Sequence, residues 1–170
     1  MEEFDLRDVA YENIGRGYGS QWDLMDDLFA WLDLRLYFFY KHHQWLGPRN
    51  DMRNMMGLVV SREEFEHNLA KAAQLGLEAQ LDPEELSQLQ DSRAAILARL
   101  KRTTATLPLL QLFERCRLDE FETSCVALAY LAVLDQKYEK LFAYLQDDIT
   151  RKAPSPALAV QLFLPRESTI

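Results

Sequence analysis

Four groups of residues in this 170-residue chain have types and spacing that could do chemistry. The first is Asp147-Asp148, which closes the apolar run "LFAYLQ" and precedes Thr150, Arg151 and Lys152. Walker-B segments also place acids after an apolar run, to hold catalytic Mg²⁺, but there the run is a buried strand. Here Tyr138, Leu141, Phe142 and Leu145 recur at three and four residues, the period of a helix. The two acids are therefore expected near a helix end, where the macrodipole disfavours negative charge. Arg151 and Lys152 are close enough to compensate, by pairing with the aspartates or with the terminal carbonyls. The reading is an ionic helix-to-turn joint.

The second group is "GRGYGS", Gly15 to Ser20. A phosphate loop needs a Gly-Lys-Ser/Thr triplet, which the sequence lacks, and a dinucleotide loop needs a third Gly where Ser20 stands. A lead into a capped helix fits better. The third group is His42, His43 and His67. Adjacent histidines on a helix point about 100° apart, and no cysteine or acid lies at the spacing that zinc requires. Surface or half-buried roles follow. The fourth is Cys116 and Cys125, which cannot build a disulfide framework. Neither has a neighbouring His-Asp arrangement that would make it a nucleophile, and Cys125 reads as a buried thiol in "CVALAYLAVL". No catalytic residue, cofactor ligand or metal ligand is expected.

The net charge of −8 argues against nucleic acid, whose phosphates need a basic surface. No run approaches the ~18 apolar residues of a membrane span. "MEEFDLRDVA" is acidic and without an apolar centre, unlike a secretory signal. No membrane association and a cytoplasmic location are the expectations. Gly and Pro number six each, too few for a many-turned β fold.

The elements that must position these residues are helices. Residues 1–19 read as a flexible arm. Ser20 caps a helix whose stripe is Trp22, Met25, Phe29, Leu32, Leu36, Phe39 and His43, ending at Gly47-Pro48. Trp22, Trp31 and Trp45 read as core anchors. "GLVVS" could be extended, and Ser61 with Glu64 opens a helix that Gly76 stops. Asp82, Pro83 and Glu85 start another, carried by Leu86, Leu89, Arg93, Ile96, Leu97 and Leu100 to about Arg102. "TTAT" is a hinge. Beyond it four shorter helices are expected. One runs from Leu107 to Cys116. The next is capped by Asp119 with Glu122, and from Val126 to Leu134 it is apolar on almost every side, marking the centre of a core. Asp135 caps the third and Ser155-Pro156 opens the fourth. The fold class is all-α, with a helical subdomain over 20–102 and a compact one over 105–165.

"DEFETSCVALAYLAVLDQKYEKLFAYLQDDITRKAPSPALAVQLF" resembles a block in the N-terminal region of a bacterial AAA+ ATPase family that occurs with contractile injection systems, the phage-tail-like particles. The matching residues are Phe121 and Glu122, then Leu134, Asp135 and Tyr138, then Leu141 through Arg151, then Pro154, Leu158 and Leu162. "LDLRL" and "GLVVSREEF" agree more loosely. Ala132 and Val133 stand where that family has Pro-Glu. The resemblance implies a winged-helix-like second subdomain and a non-catalytic domain that recruits a protein substrate or mediates assembly. Its partner would be a protein or the adjoining AAA+ core, with oligomerisation possible. ATP and Mg²⁺ are implied only for a core outside these residues. Tyr144, Gln146, Asp147, Asp148, Thr150 and Arg151 are the candidate protein-contact residues. The alternative is a stand-alone helical scaffold or oligomerisation module.

Overall fold

The computed structural model describes residues 15–42 and 76–164. Among them are six α-helices, one 3₁₀ turn and no strand, so the all-α expectation holds. The helices are α1 (Gln21–His42), α2 (Pro83–Lys101), α3 (Pro108–Cys116), α4 (Glu120–Leu134), α5 (Lys137–Leu145) and α6 (Pro156–Phe163), with the 3₁₀ turn at Leu77–Ala79. The readings at His43, Trp45, Gly47-Pro48, "GLVVS", the helix from Ser61 and His67 lie outside the described residues.

Local chemistry sets most helix starts. Ser20 Oγ accepts the Asp23 N–H, and the Asp23 carboxylate accepts the Ser20 N–H, closing a reciprocal cap on α1. Asp82 and Glu85 form the same box at α2, and Asp119 and Glu122 at α4. Pro occupies the first turn of α2, α3 and α6, where its missing N–H costs nothing. Ser155 accepts the Leu158 N–H at α6. Asp135 works one residue earlier than a standard cap: it accepts the Lys137 N–H at 2.9 Å while Gln136 holds the cap position of α5.

One core joins helices from both sides of the "TTAT" stretch. Leu32, Leu36 and Phe39 of α1 and Leu89 and Ile96 of α2 pack with Leu128 and Leu131 of α4, Phe142 of α5 and Leu158 and Leu162 of α6. Each large apolar side chain removed from water here contributes about 1.5–3 kcal/mol. A smaller cluster of Tyr18, Leu24, Leu107 and Leu109 sits at the start of α1.

Several sequence readings are corrected by this packing. Tyr18, inside the expected loose arm, is only 2% exposed. Its hydroxyl donates to Asp27, its ring lies under the Arg99 guanidinium, and its N–H donates to Thr103. Gly17 lets that stretch of chain run against the Arg102 carbonyl, where a Cβ would collide with backbone. Trp31 is buried as expected, but Trp22 is 66% exposed, because at the first turn of α1 it lies on the face away from both clusters. Leu97 also faces outward; the buried positions in that half of α2 are Ile96 and Arg99. In α4 only Ser124, Ala127, Leu128 and Leu131 are buried, while Tyr130, Val133 and Leu134 are exposed. An apolar composition all round made α4 look fully enclosed, yet its neighbours cover one side. Cys125 is half-buried, not buried.

Candidate protein-contact site

The six candidate residues fall at the end of α5 and in the turn leading to α6. A helix ends with four carbonyls that lack partners in the helix. At α5 the chain meets two of them by turning back on itself. The Asp147 N–H donates to the Tyr144 carbonyl and the Asp148 N–H to the Ala143 carbonyl. Asp147 has φ 54°, in the left-handed region. This is a Schellman stop with an aspartate where Gly is usual. The same geometry recurs at α3, where Arg117 takes φ 53° and the Leu118 N–H reaches the Phe113 carbonyl.

Gln146 fixes the turn from its centre. Its side-chain amide donates to the Phe142 carbonyl at 3.1 Å and to the Ala153 carbonyl at 2.9 Å. Its Oε1 accepts the Ser155 N–H at 2.9 Å, so one side chain links the end of α5 to the cap of α6. Asp148 Oδ1 accepts both the N–H and the hydroxyl of Thr150, at 2.9 and 2.6 Å. Its other oxygen lies 3.1 Å from Arg151 Nε. These contacts, the Thr150 hydroxyl first, hold the Asp148 carboxyl below its usual range. The expected ionic joint is thus present between Asp148 and Arg151. Lys152 departs from expectation: its ammonium pairs with Glu139 on α5 at 3.2 Å.

The turn therefore spends some side chains on itself and displays others. Gln146 and Asp148 are held by internal bonds. Tyr144 is 62% exposed and Ile149 is 89% exposed, and Thr150 and Arg151 face solvent beside them. The Tyr144 ring lies 5.9 Å from that of Tyr40 on α1, which is also exposed. Sequence reasoning missed Ile149 and Tyr40. Ile149 carried a signal, as an apolar residue beyond the helical stripe among polar neighbours. Tyr40 carried none, because its exposure depends on which side of α1 the other helices cover. Among the described residues no cluster of three or more His, Cys, Asp or Glu could hold a metal ion, and no helix is long and apolar enough to cross a membrane.

Two other charged clusters serve the seams between helices. Arg35 is buried on α1, stacked against Trp31 and Phe163. Its guanidinium donates twice to the Leu162 carbonyl, at 3.1 and 2.7 Å, and once to Glu78 at 2.7 Å. Glu85 is buried on α2 and receives Lys41 at 2.5 Å, with His42 Nε2 at 2.6 Å. Burial alone would raise the Glu85 carboxyl, but these partners and the Asp82 N–H outweigh it and hold it below its usual range.

The family described as "Winged helix domain, variant" matches residues 10–169, so the chain belongs to that family. A comparison with curated proteins found no match, and neither did one with solved structures.

Proposed function

We propose that this winged helix domain is a non-catalytic protein-binding module, the N-terminal domain of a AAA+ ATPase of the contractile-injection kind. It would recruit a substrate protein or hold the assembly together, with ATP and Mg²⁺ bound only by a core outside these residues. The observation that carries the reading is the α5–α6 turn. The stretch that bears the AAA+ resemblance, Leu141 through Arg151, is held from within by Gln146 and Asp148 while Tyr144 and Ile149 project into solvent. An apolar and an aromatic side chain on a pre-organised turn are suited to anchoring a protein partner. Protein is favoured over nucleic acid because the chain is acidic overall and three cations near the turn already face acids: Arg151 with Asp148, Lys152 with Glu139, Lys137 near Asp33.

Two measurements test this. The reading frame beyond Ile170 should encode a Gly-x-x-x-x-Gly-Lys-Ser/Thr motif, and the purified core it encodes should bind the 170 residues in trans. Tyr144→Ala and Ile149→Asp should weaken that binding while leaving the melting temperature nearly unchanged. Turnover of ATP by the 170 residues alone, or tight binding of duplex DNA, would sink the proposal.

A second reading, a stand-alone scaffold or oligomerisation module, is favoured by α4. Tyr130, Val133 and Leu134 leave an apolar side of that helix exposed. Sedimentation of the wild-type chain and Val133→Glu separates the two: self-association abolished by the substitution supports the scaffold.

A further inference from the structure

The outward face of α1 combines rings and carboxylates. At 100° per residue, Trp22, Asp26, Phe29, Asp33, Tyr37 and Tyr40 fall within an arc of roughly 80°. Trp22, Tyr37 and Tyr40 are exposed, as is Asp26; Phe29 and Asp33 are half-buried. The stripe climbs from Trp22 to Tyr40, about 27 Å at 1.5 Å per residue, and continues onto α5 through the ring of Tyr144. Most charged residues of α1 that are engaged lie elsewhere: Asp27 pairs with Arg99, Arg35 is buried against Leu162 and Glu78, and Lys41 serves Glu85. On the stripe itself Asp33 accepts the Tyr138 hydroxyl at 2.7 Å, while Asp26 is exposed one turn after Trp22. No arginine or lysine of α1 is on this stripe. Among the described residues Lys137 is beside it, with Nζ 3.8 Å from Asp33, and Lys41 and Lys140 lie one helical turn from Tyr37 and Tyr144.

The molecule shows inside what such a combination holds. At Tyr18 and Asp27 a ring and a carboxylate together receive Arg99, with the guanidinium 4.1 Å from the ring centroid and 2.6 Å from the acid. At Trp31 and Phe163 a stacked pair of rings lies beside Arg35, with Glu78 on its edge. Guanidinium suits such places because its planar face stacks on a ring while its N–H edge meets a carboxylate. The outward stripe offers rings and the Asp26 carboxylate without the arginine.

We infer that this face of α1 is a docking surface for an arginine-bearing segment of a partner protein, lying along the helix with its guanidinium groups over Trp22, Tyr37 and Tyr40 and against Asp26. Charge complementarity selects that occupant: the stripe carries only carboxylates on a chain of net charge −8, so an acidic partner is repelled. The inference rests on the reading of this chain as a protein-binding module, but it uses a different face from the α5–α6 turn.

The test is titration calorimetry of the full 170-residue chain with an alanine-based helical peptide of about 18 residues, a length that matches the stripe, with arginines spaced three and four apart. The peptide should bind, and more weakly as salt rises. Replacing its arginines with citrulline, the neutral isostere, should weaken binding about tenfold or more, and lysine should weaken it by less. Trp22→Ala with Tyr40→Ala, and separately Asp26→Asn, should each weaken binding several-fold. Trp22, Tyr40 and Asp26 are exposed, and unchanged melting curves would confirm folding. Asp91→Asn, on the outside of α2, should have no effect. Equal binding of the citrulline peptide, an equal loss with Asp91→Asn, or no binding at millimolar peptide would each overturn the inference. So would a chain that dimerises through this face and becomes monomeric with Trp22→Ala. A chain that captures the AAA+ core through Tyr144 and Ile149 yet ignores the arginine peptide would overturn this inference alone.

Discussion

The ends of α5 and α6 face the same problem and solve it differently. Each leaves carbonyls without helical partners. At α5 the chain solves it locally, with Asp147 in the left-handed region and Gln146 reaching along its own turn. At α6 a guanidinium from α1, 127 residues away in sequence, enters the interior and caps the Leu162 carbonyl. The local solution needs no burial, so it leaves side chains free for display. The distant one places a charge out of water and binds three elements, α1, the 3₁₀ turn and α6, into one seam. A helix end that is closed from within can serve as a contact surface, whereas one closed from afar is part of the frame.

The largest expected effect breaks the distant cap. Arg35→Ala leaves the Leu162 carbonyl and Glu78 without this partner and removes the guanidinium packed beside the stacked rings of Trp31 and Phe163. A loss of about 2–4 kcal/mol is expected in denaturant unfolding, from the cavity left in the seam and the buried Leu162 carbonyl left unpaired. A loss under about 1 kcal/mol would mean the seam is held by apolar packing alone. Next is Gly76→Ala. A Cβ there would run into the Leu164 carbonyl just past α6, a backbone atom that cannot swing aside. A loss of about 1–3 kcal/mol is expected from such overpacking, read from the same unfolding curves.

Glu85 stands between the two cases, buried itself but closing the exposed last turn of α1 through Lys41 and His42. Its carboxyl is held below the unfolded value of about 4.3, so the folded state binds its proton less readily. The stability this contributes is fully present above that pH and is lost as pH falls through the lower folded value. Glu85→Gln should therefore lower stability at neutral pH and flatten its decline on acidification, measured as the midpoint of unfolding at a series of pH values. An unchanged slope would remove Glu85 from the acid response. The smallest effect belongs to the local cap. Asp147→Gly should raise stability by up to about 1 kcal/mol, since glycine adopts positive φ without the steric cost borne by other residues. A net loss would show that the Asp147 side chain contributes more than its backbone strain costs.

Much of the secondary structure was legible because its causes are local. The boxes at Asp82 and Asp119, the first-turn prolines and the Ser155 cap act over three or four residues, and each is found where its residues stand. The stop after Leu145 was legible in outline, from the end of the Tyr138–Leu145 stripe and the acids that follow. The misreadings concern sides of helices. Trp22 and Leu97 fit a helical period yet face water, and Val133 belongs to a stretch of α4 that is apolar on almost every side. Periodicity assigns residues to a face; it does not say whether another helix lies there.

The candidate site divides in the same way. The sequence by itself determined that Asp147 and Asp148 follow a helix and that a basic residue would answer them, because macrodipole and ion pairing operate within one turn. Only the tertiary structure decided that Gln146 would be consumed in bracing the turn, that Tyr144 would meet Tyr40 of a helix a hundred residues earlier, and that Arg35 would cap α6 from inside the core. Those contacts arise when apolar burial drives distant helices together, and which polar groups then meet depends on the orientation in which the helices pack.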